Sequence, residues 1–284
     1  MALDNTTSPI EAIRKPFVRY LSQLVIMLLV LVILLFVRDQ SYLINNISLI
    51  VVNFIFAIPI AVLLFWRNKL KRRTFHRVYI NSESVFYNKF LGGSFLFIVQ
   101  FFVATIFALN LIAGTILIEG YLYWLVLLFS PFVWILVGMF LSPYVNSHIN
   151  EEFRVSVSSR LQLYITGALL MVIFVVIGFF SQVDDLRGVS FIDSYVNRTM
   201  SVYSKSFFLN IVVEFQVLIE TLFLWLVAIA SESTESMSFR LLTWVVALFN
   251  QWLFIWPLVY VYQFIQWMLY SNREINIEEQ EVRQ

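Results

Sequence analysis

The chain has 284 residues, 60% of them hydrophobic and only 13% charged, with a mean hydropathy of +0.82. A soluble domain of this size carries about 25% charged residues, so the composition excludes one. The net charge is +1 and there is no cysteine, which excludes disulfides, iron–sulfur clusters and thiolate metal sites.

The apolar residues fall in continuous runs long enough to cross a bilayer, for which about 20 helical residues suffice. A backbone in hydrocarbon must satisfy its own hydrogen bonds, and a barrel would show short alternating segments instead. The expected fold is therefore all-α: a polytopic integral membrane protein with about seven transmembrane helices, one transmembrane domain over 1–284 and no soluble domain.

Residues 1–16 are polar and end in Arg14, Lys15 and Pro16. The run behind them is too long for a signal peptide and is followed by VRDQS rather than a small-residue cleavage site. The first span is expected at 20–37 and the second at 47–66. Next comes a basic stretch, 67–93, read as a cytoplasmic loop, with Arg67, Lys69, Lys71, Arg72, Arg73 and Arg77 close behind the span. Such clusters attract anionic headgroups at about 1 kcal/mol per residue, so this stretch is a candidate for docking lipid or a protein partner. No nucleic-acid reader accompanies it, and nucleic acid is not an expected partner.

Spans at 94–118 and 121–141 are separated only by Glu119 and Gly120, which implies a tight antiparallel hairpin. The first of them carries Gln100 and Asn110 near one stripe. A polar segment precedes the span at 161–180, and 181–206 reads as an outer loop. Spans at 207–229 and 241–270 follow, then an acidic tail at 271–284. With the N-terminus in the cytoplasm, thirteen of the 19 Lys and Arg fall on the inner side, as the positive-inside rule requires. A bacterial inner membrane is the default setting. Seven crossings would put the tail outside, unless Pro257 breaks the last run into a re-entrant pair.

The span at 207–229 holds two acids, Glu214 and Glu220, and an intramembrane carboxylate costs about 2.5–3.5 kcal/mol to insert. Asn210, Glu214 and Thr221 share a helical face, with Glu220 about 120° away. No Lys, Arg or His lies within an apolar run, so at least one acid is expected to stay protonated. It would then donate to Gln100 or Asn110, or to Asn250 or Gln251 in the last span. Three readings follow: a helix–helix hydrogen bond, a proton or cation path, and a contact with a partner subunit. In the last span Trp252, Trp256, Tyr260 and Trp267 form an aromatic stripe, read as core and belt packing or as a lipid groove.

His76 and His148 lie in separate loops, and all five aspartates lie outside the spans. Neither a hydrolase elbow, a P-loop, a dinucleotide fingerprint nor a zincin motif occurs. No enzyme activity, cofactor or metal is therefore expected. The leading expectation is a membrane subunit that acts by assembly with other polypeptides or with copies of itself. The alternatives are an ion or proton channel or transporter working through Glu214 and Glu220, and a lipid-binding or lipid-handling protein.

Overall fold

With its backbone closed on itself, the chain folds as a bundle of α-helices. The computed structural model describes residues 9–79, 94–118, 120–149, 151–181, 189–200, 204–232 and 237–282. The helices are α1 (Pro9–Asp39), α2 (Asn46–Tyr79), α3 (Ser94–Leu117), α4 (Tyr121–His148), α5 (Glu151–Ser181), α6 (Phe191–Met200), α7 (Phe207–Glu232) and α8 (Met237–Val282). Among the described residues, seven are long and apolar enough to cross a membrane, all except α6. The fold is thus the polytopic all-α protein that the composition requires.

Several helices outrun their apolar cores. α2 continues through the basic stretch to Tyr79, and α8 continues through Pro257 and most of the acidic tail to Val282. Arg, Lys, Glu and Gln favour helix, so nothing local stops it there. Residues 80–93 and the side chains of Lys69, Lys71, Arg72, Arg73 and Arg77 lie outside the described residues. α5 begins at Glu151, ten residues before the expected span. Between α3 and α4, Gly120 adopts φ +96°, where a side chain would be strained.

α8 is the central helix. It is apolar nearly all round, with Phe254, Ile255, Leu258, Val259 and Val261 buried, as befits a helix surrounded by others. It packs on α1, α2, α3, α5 and α7, and reaches α4 through Tyr262, whose hydroxyl lies 2.7 Å from that of Ser130. Trp256 sits against Gly167 of α5, where an added Cβ would lie 2.8 Å from the indole.

Trp66 and Arg67 of α2 mark one end of the bundle, the basic end; the opposite one is the far end. α8 starts at the far end. Phe254 meets Phe174 of α5 and Gly114 of α3, Tyr260 stacks on Phe107, and Trp267 reaches Trp66 at 6.0 Å. α1 runs the other way, since Arg38 near its last residue covers Trp124 at the start of α4, 5.1 Å from the ring. α1 therefore begins, and α8 ends, at the basic end.

Seven crossings in series cannot give this result, and α7 is the reason. Ser206, just before it, donates to Asn46 at the start of α2 (2.8 Å). Gln216 donates to the Asn110 carbonyl (2.8 Å) and side chain (3.0 Å) in the far half of α3. Phe223 lies over Gly178 near the end of α5, and Leu224 and Val227 pack with Val175 and Ala247. All these partners belong to the far end or the half of the bundle next to it. A helix that crossed would finish ~30 Å away, beside Arg67. α7 has the length of a crossing helix but lies across the far end. α6 runs antiparallel beside it, with Phe191 against Trp225 (5.8 Å) and Arg198 against Glu220 (3.3 Å). Ser190 starts α6 by accepting from the Asp193 N–H (3.2 Å) and donating to its carboxylate (2.6 Å). The tail consequently returns to the end where α1 starts, with no break at Pro257, and α8 carries Arg240 at the far end and Arg273 at the basic end.

Candidate functional site

The polar residues of α7 divide among separate partners. Asn210 exchanges hydrogen bonds with Ser204, accepting from its hydroxyl (2.8 Å) and amide (3.0 Å). Glu214 is half-buried, and among the described residues it has no hydrogen-bond or ion-pair partner. Thr221 is fully buried, its hydroxyl without a hydrogen bond among the described residues. Glu220 does have a cation, Arg198, which the sequence places in the outer loop and α6 folds back onto it. This corrects the expectation that no basic group reaches the acids.

Glu220, Gln216, Asn250 and Gln251 also line one small polar cavity of about 60 Å³ near the far end. The structure thus joins Glu220 to two of the four amides proposed for it. Asn110 is instead bonded to Gln216, and Gln100 sits toward the basic end of α3, away from both acids.

A larger cavity, of about 180 Å³, opens at the basic end between α2, α4, α5 and α8. Arg67, Arg154 and Arg160 line it, and no described carboxylate does. Arg67 donates to the phenol oxygens of Tyr260 (3.2 Å) and Tyr164, and its guanidinium lies 5.6 Å from the Tyr164 ring centre. Arg154 is anchored by its Nε–H to the Ile149 carbonyl at 2.9 Å. Ser142, Asn146, Ser158 and Ser159 add hydroxyls and an amide, and Trp66 and Trp267 supply an aromatic side. Two like charges ~8 Å apart repel by about 2 kcal/mol at an effective dielectric of about 20. Guanidinium groups gathered around one hollow therefore repel one another, though Arg154 also has a further interaction of its own.

Gln263 and Gln266 of α8 form another part of the wall. Gln266 donates its Nε2 to Gln162 Oε1 (3.1 Å), and Gln162 donates its Nε2 to the Trp134 carbonyl (2.7 Å). Gly138 permits this approach, for a Cβ there would fall 2.6 Å from Gln162 Nε2. The Oε1 atoms of Gln263 and Gln266 are buried and have no hydrogen-bond partner among the described residues.

The aromatic stripe serves several neighbours, because α8 is enclosed. Trp252 and Tyr260 meet Phe107 of α3, Trp256 meets Tyr164 of α5, and Trp267 meets Trp66 and the basic-end cavity. Core packing accounts for all but the last.

Of the residues singled out from the sequence, Arg67, Tyr260 and Trp267 belong to this site. Arg154, Ser158 and Arg160 were missed. Their only signal was spacing, since Arg154 and Ser158 are four apart, on one face of the turns by which α5 begins ahead of its apolar run. What the sequence lacks is the fact that this turn faces α2. Compared with known proteins, the chain matches no family model, no curated protein and no solved structure.

Proposed function

We propose that the protein binds a phosphate-type anion in the basic-end cavity, and that its role is to hold or hand over such a group at the membrane surface. One observation carries this reading: three arginines line a polar hollow whose described lining holds no carboxylate. Guanidinium groups present planar forks of donors that match phosphate oxygens, with serine hydroxyls and an amide to complete the shell. The anion is either free or the headgroup of a lipid. The basic end faces the cytoplasm by the positive-inside rule, where anionic lipid also gathers. The reading is non-enzymatic. It is favoured over a channel through Glu214, which lines neither described cavity.

Calorimetric titration of the chain in zwitterionic nanodiscs with inorganic phosphate tests the proposal. A hydrogen bond to a charged group contributes about 1.5–3 kcal/mol, so Arg160→Ala should weaken binding by about tenfold or more. Undiminished affinity in Arg67→Ala/Arg160→Ala would overturn it.

A further inference from the structure

One side of α6 is apolar and touches nothing in the bundle. We infer that this side is embedded in the far leaflet of the membrane, so that α6 is an interfacial helix that holds α7 at leaflet depth, not part of a loop in water. The inference is independent of the anion site at the opposite end.

α6 is short and amphipathic, and at ~100° per residue its side chains divide into three sectors. Phe191, Ser194, Tyr195 and Arg198 form the first. They are partly or fully covered, with Phe191 against Trp225 and Arg198 against Glu220, so this sector faces α7. Ser190, Asp193 and Asn197 form the second, which is polar and exposed. Val189, Ile192 and Val196 form the third; all three are exposed, Ile192 to 69%. A surface helix packed on a protein in water needs only two sectors, an apolar one inside and a polar one outside. A third that is apolar and uncovered suits a helix lying in an interface, with protein on one side, water on another and acyl chains on the last.

α7 shows that lipid reaches this place. Leu209, Val213, Gln216, Phe223 and Val227 are buried on its bundle side, while Phe207, Ile211, Phe215 and Leu218 are exposed on the opposite side. In a bundle of membrane-crossing helices such a side faces acyl chains. Trp225, which meets Phe191, lies about five turns beyond Phe207 and in line with it. α6 therefore packs along the edge of the lipid-facing side of α7, and its own apolar sector continues that surface. That sector sets α6 about 5–10 Å into the leaflet, and the Arg198–Glu220 pair ties α7 to the same level.

Nitroxide scanning tests this, since the chain has no native cysteine to remove. Single cysteines placed in turn along α6 of the full chain are spin-labelled in phosphatidylcholine nanodiscs. For each label, the collision rate with oxygen, which concentrates among acyl chains, is divided by that with a water-soluble nickel chelate. The ratio should peak at Ile192→Cys and Val196→Cys, about threefold or more above Asp193→Cys and Asn197→Cys, because only the first pair lies among acyl chains. A thermal transition matching that of the wild type shows that a labelled chain is folded, and either apolar position suffices if the other fails. A ratio at both apolar positions no higher than at Asp193→Cys and Asn197→Cys, with fast nickel collisions, puts the sector in water and overturns the inference. Slow collisions with both reagents at those positions mean that a partner subunit or a second copy covers the sector, and overturn it equally.

Discussion

Arg198 of α6 and Glu220 of α7 are joined across 3.3 Å, with side chains 29% and 25% exposed. The pair ties the short helix to the long one and explains how a carboxylate is tolerated in so apolar a stretch. Arg198→Ala should cost about 1–3 kcal/mol, between the values for surface and buried pairs, because it leaves Glu220 without its cation. Thermal unfolding in detergent measures it, together with Glu220→Gln and the double variant. A coupling of about 1 kcal/mol is expected, and strictly additive single changes would show that the pair contributes nothing.

Glu214 should behave differently. Without a partner among the described residues, its isosteric change Glu214→Gln is expected to shift stability by no more than about 0.5 kcal/mol and to leave ion flux in vesicles unaltered. Loss of a measurable wild-type flux in this variant would restore the channel reading.

The path of the chain is open to direct labelling, because it has no native cysteine. The single variants Lys15→Cys and Ser271→Cys should react with an impermeant maleimide from the same side of the membrane, and Asn197→Cys from the opposite side. Labelling of Ser271→Cys from the same side as Asn197→Cys would mean that α7 crosses after all.

Gly167 and Trp256 supply a packing test. A methyl group added at Gly167 would stand 2.8 Å from the indole, so Gly167→Ala must displace a rigid ring, and overpacking of this kind costs about 1–3 kcal/mol. Trp256→Phe in the same chain should recover much of that loss in thermal unfolding. Independent effects of the two changes would contradict the contact.

The number of long apolar helices was legible in the sequence, and so was the short turn joining α3 to α4, because both depend only on local hydropathy and a two-residue gap; that the two helices then pack on α1 rather than on each other as a tight hairpin was not. The course of α7 was not. Its mean hydropathy of 2.0 exceeds the 1.5 of α8, yet α8 runs from end to end and α7 does not. Hydropathy reports whether a helix tolerates lipid, while its direction is set by what its polar groups bind. Asn210, Glu214, Gln216, Glu220 and Thr221 make a dense polar set for a crossing helix, and that density is the trace α7 leaves in the sequence. Arg67 was legible as one of a cluster of charges. Its union with Arg154 and Arg160 depends on contacts between residues about 90 positions apart, which no local pattern encodes.

That α8 is the central helix bears on how the protein is made. It is the last of the described helices to leave the ribosome, so α1 to α5 enter the membrane before the element they surround exists. Until it arrives, Gln162, Ser130 and Tyr164 lack Gln266, Tyr262 and Trp256, their partners on α8. The early helices must wait as a loose, incompletely paired group, stable in lipid singly but not yet fixed to one another. Biosynthesis thus has a vulnerable interval whose length is set by translation, and a quality-control protease would find its substrate there.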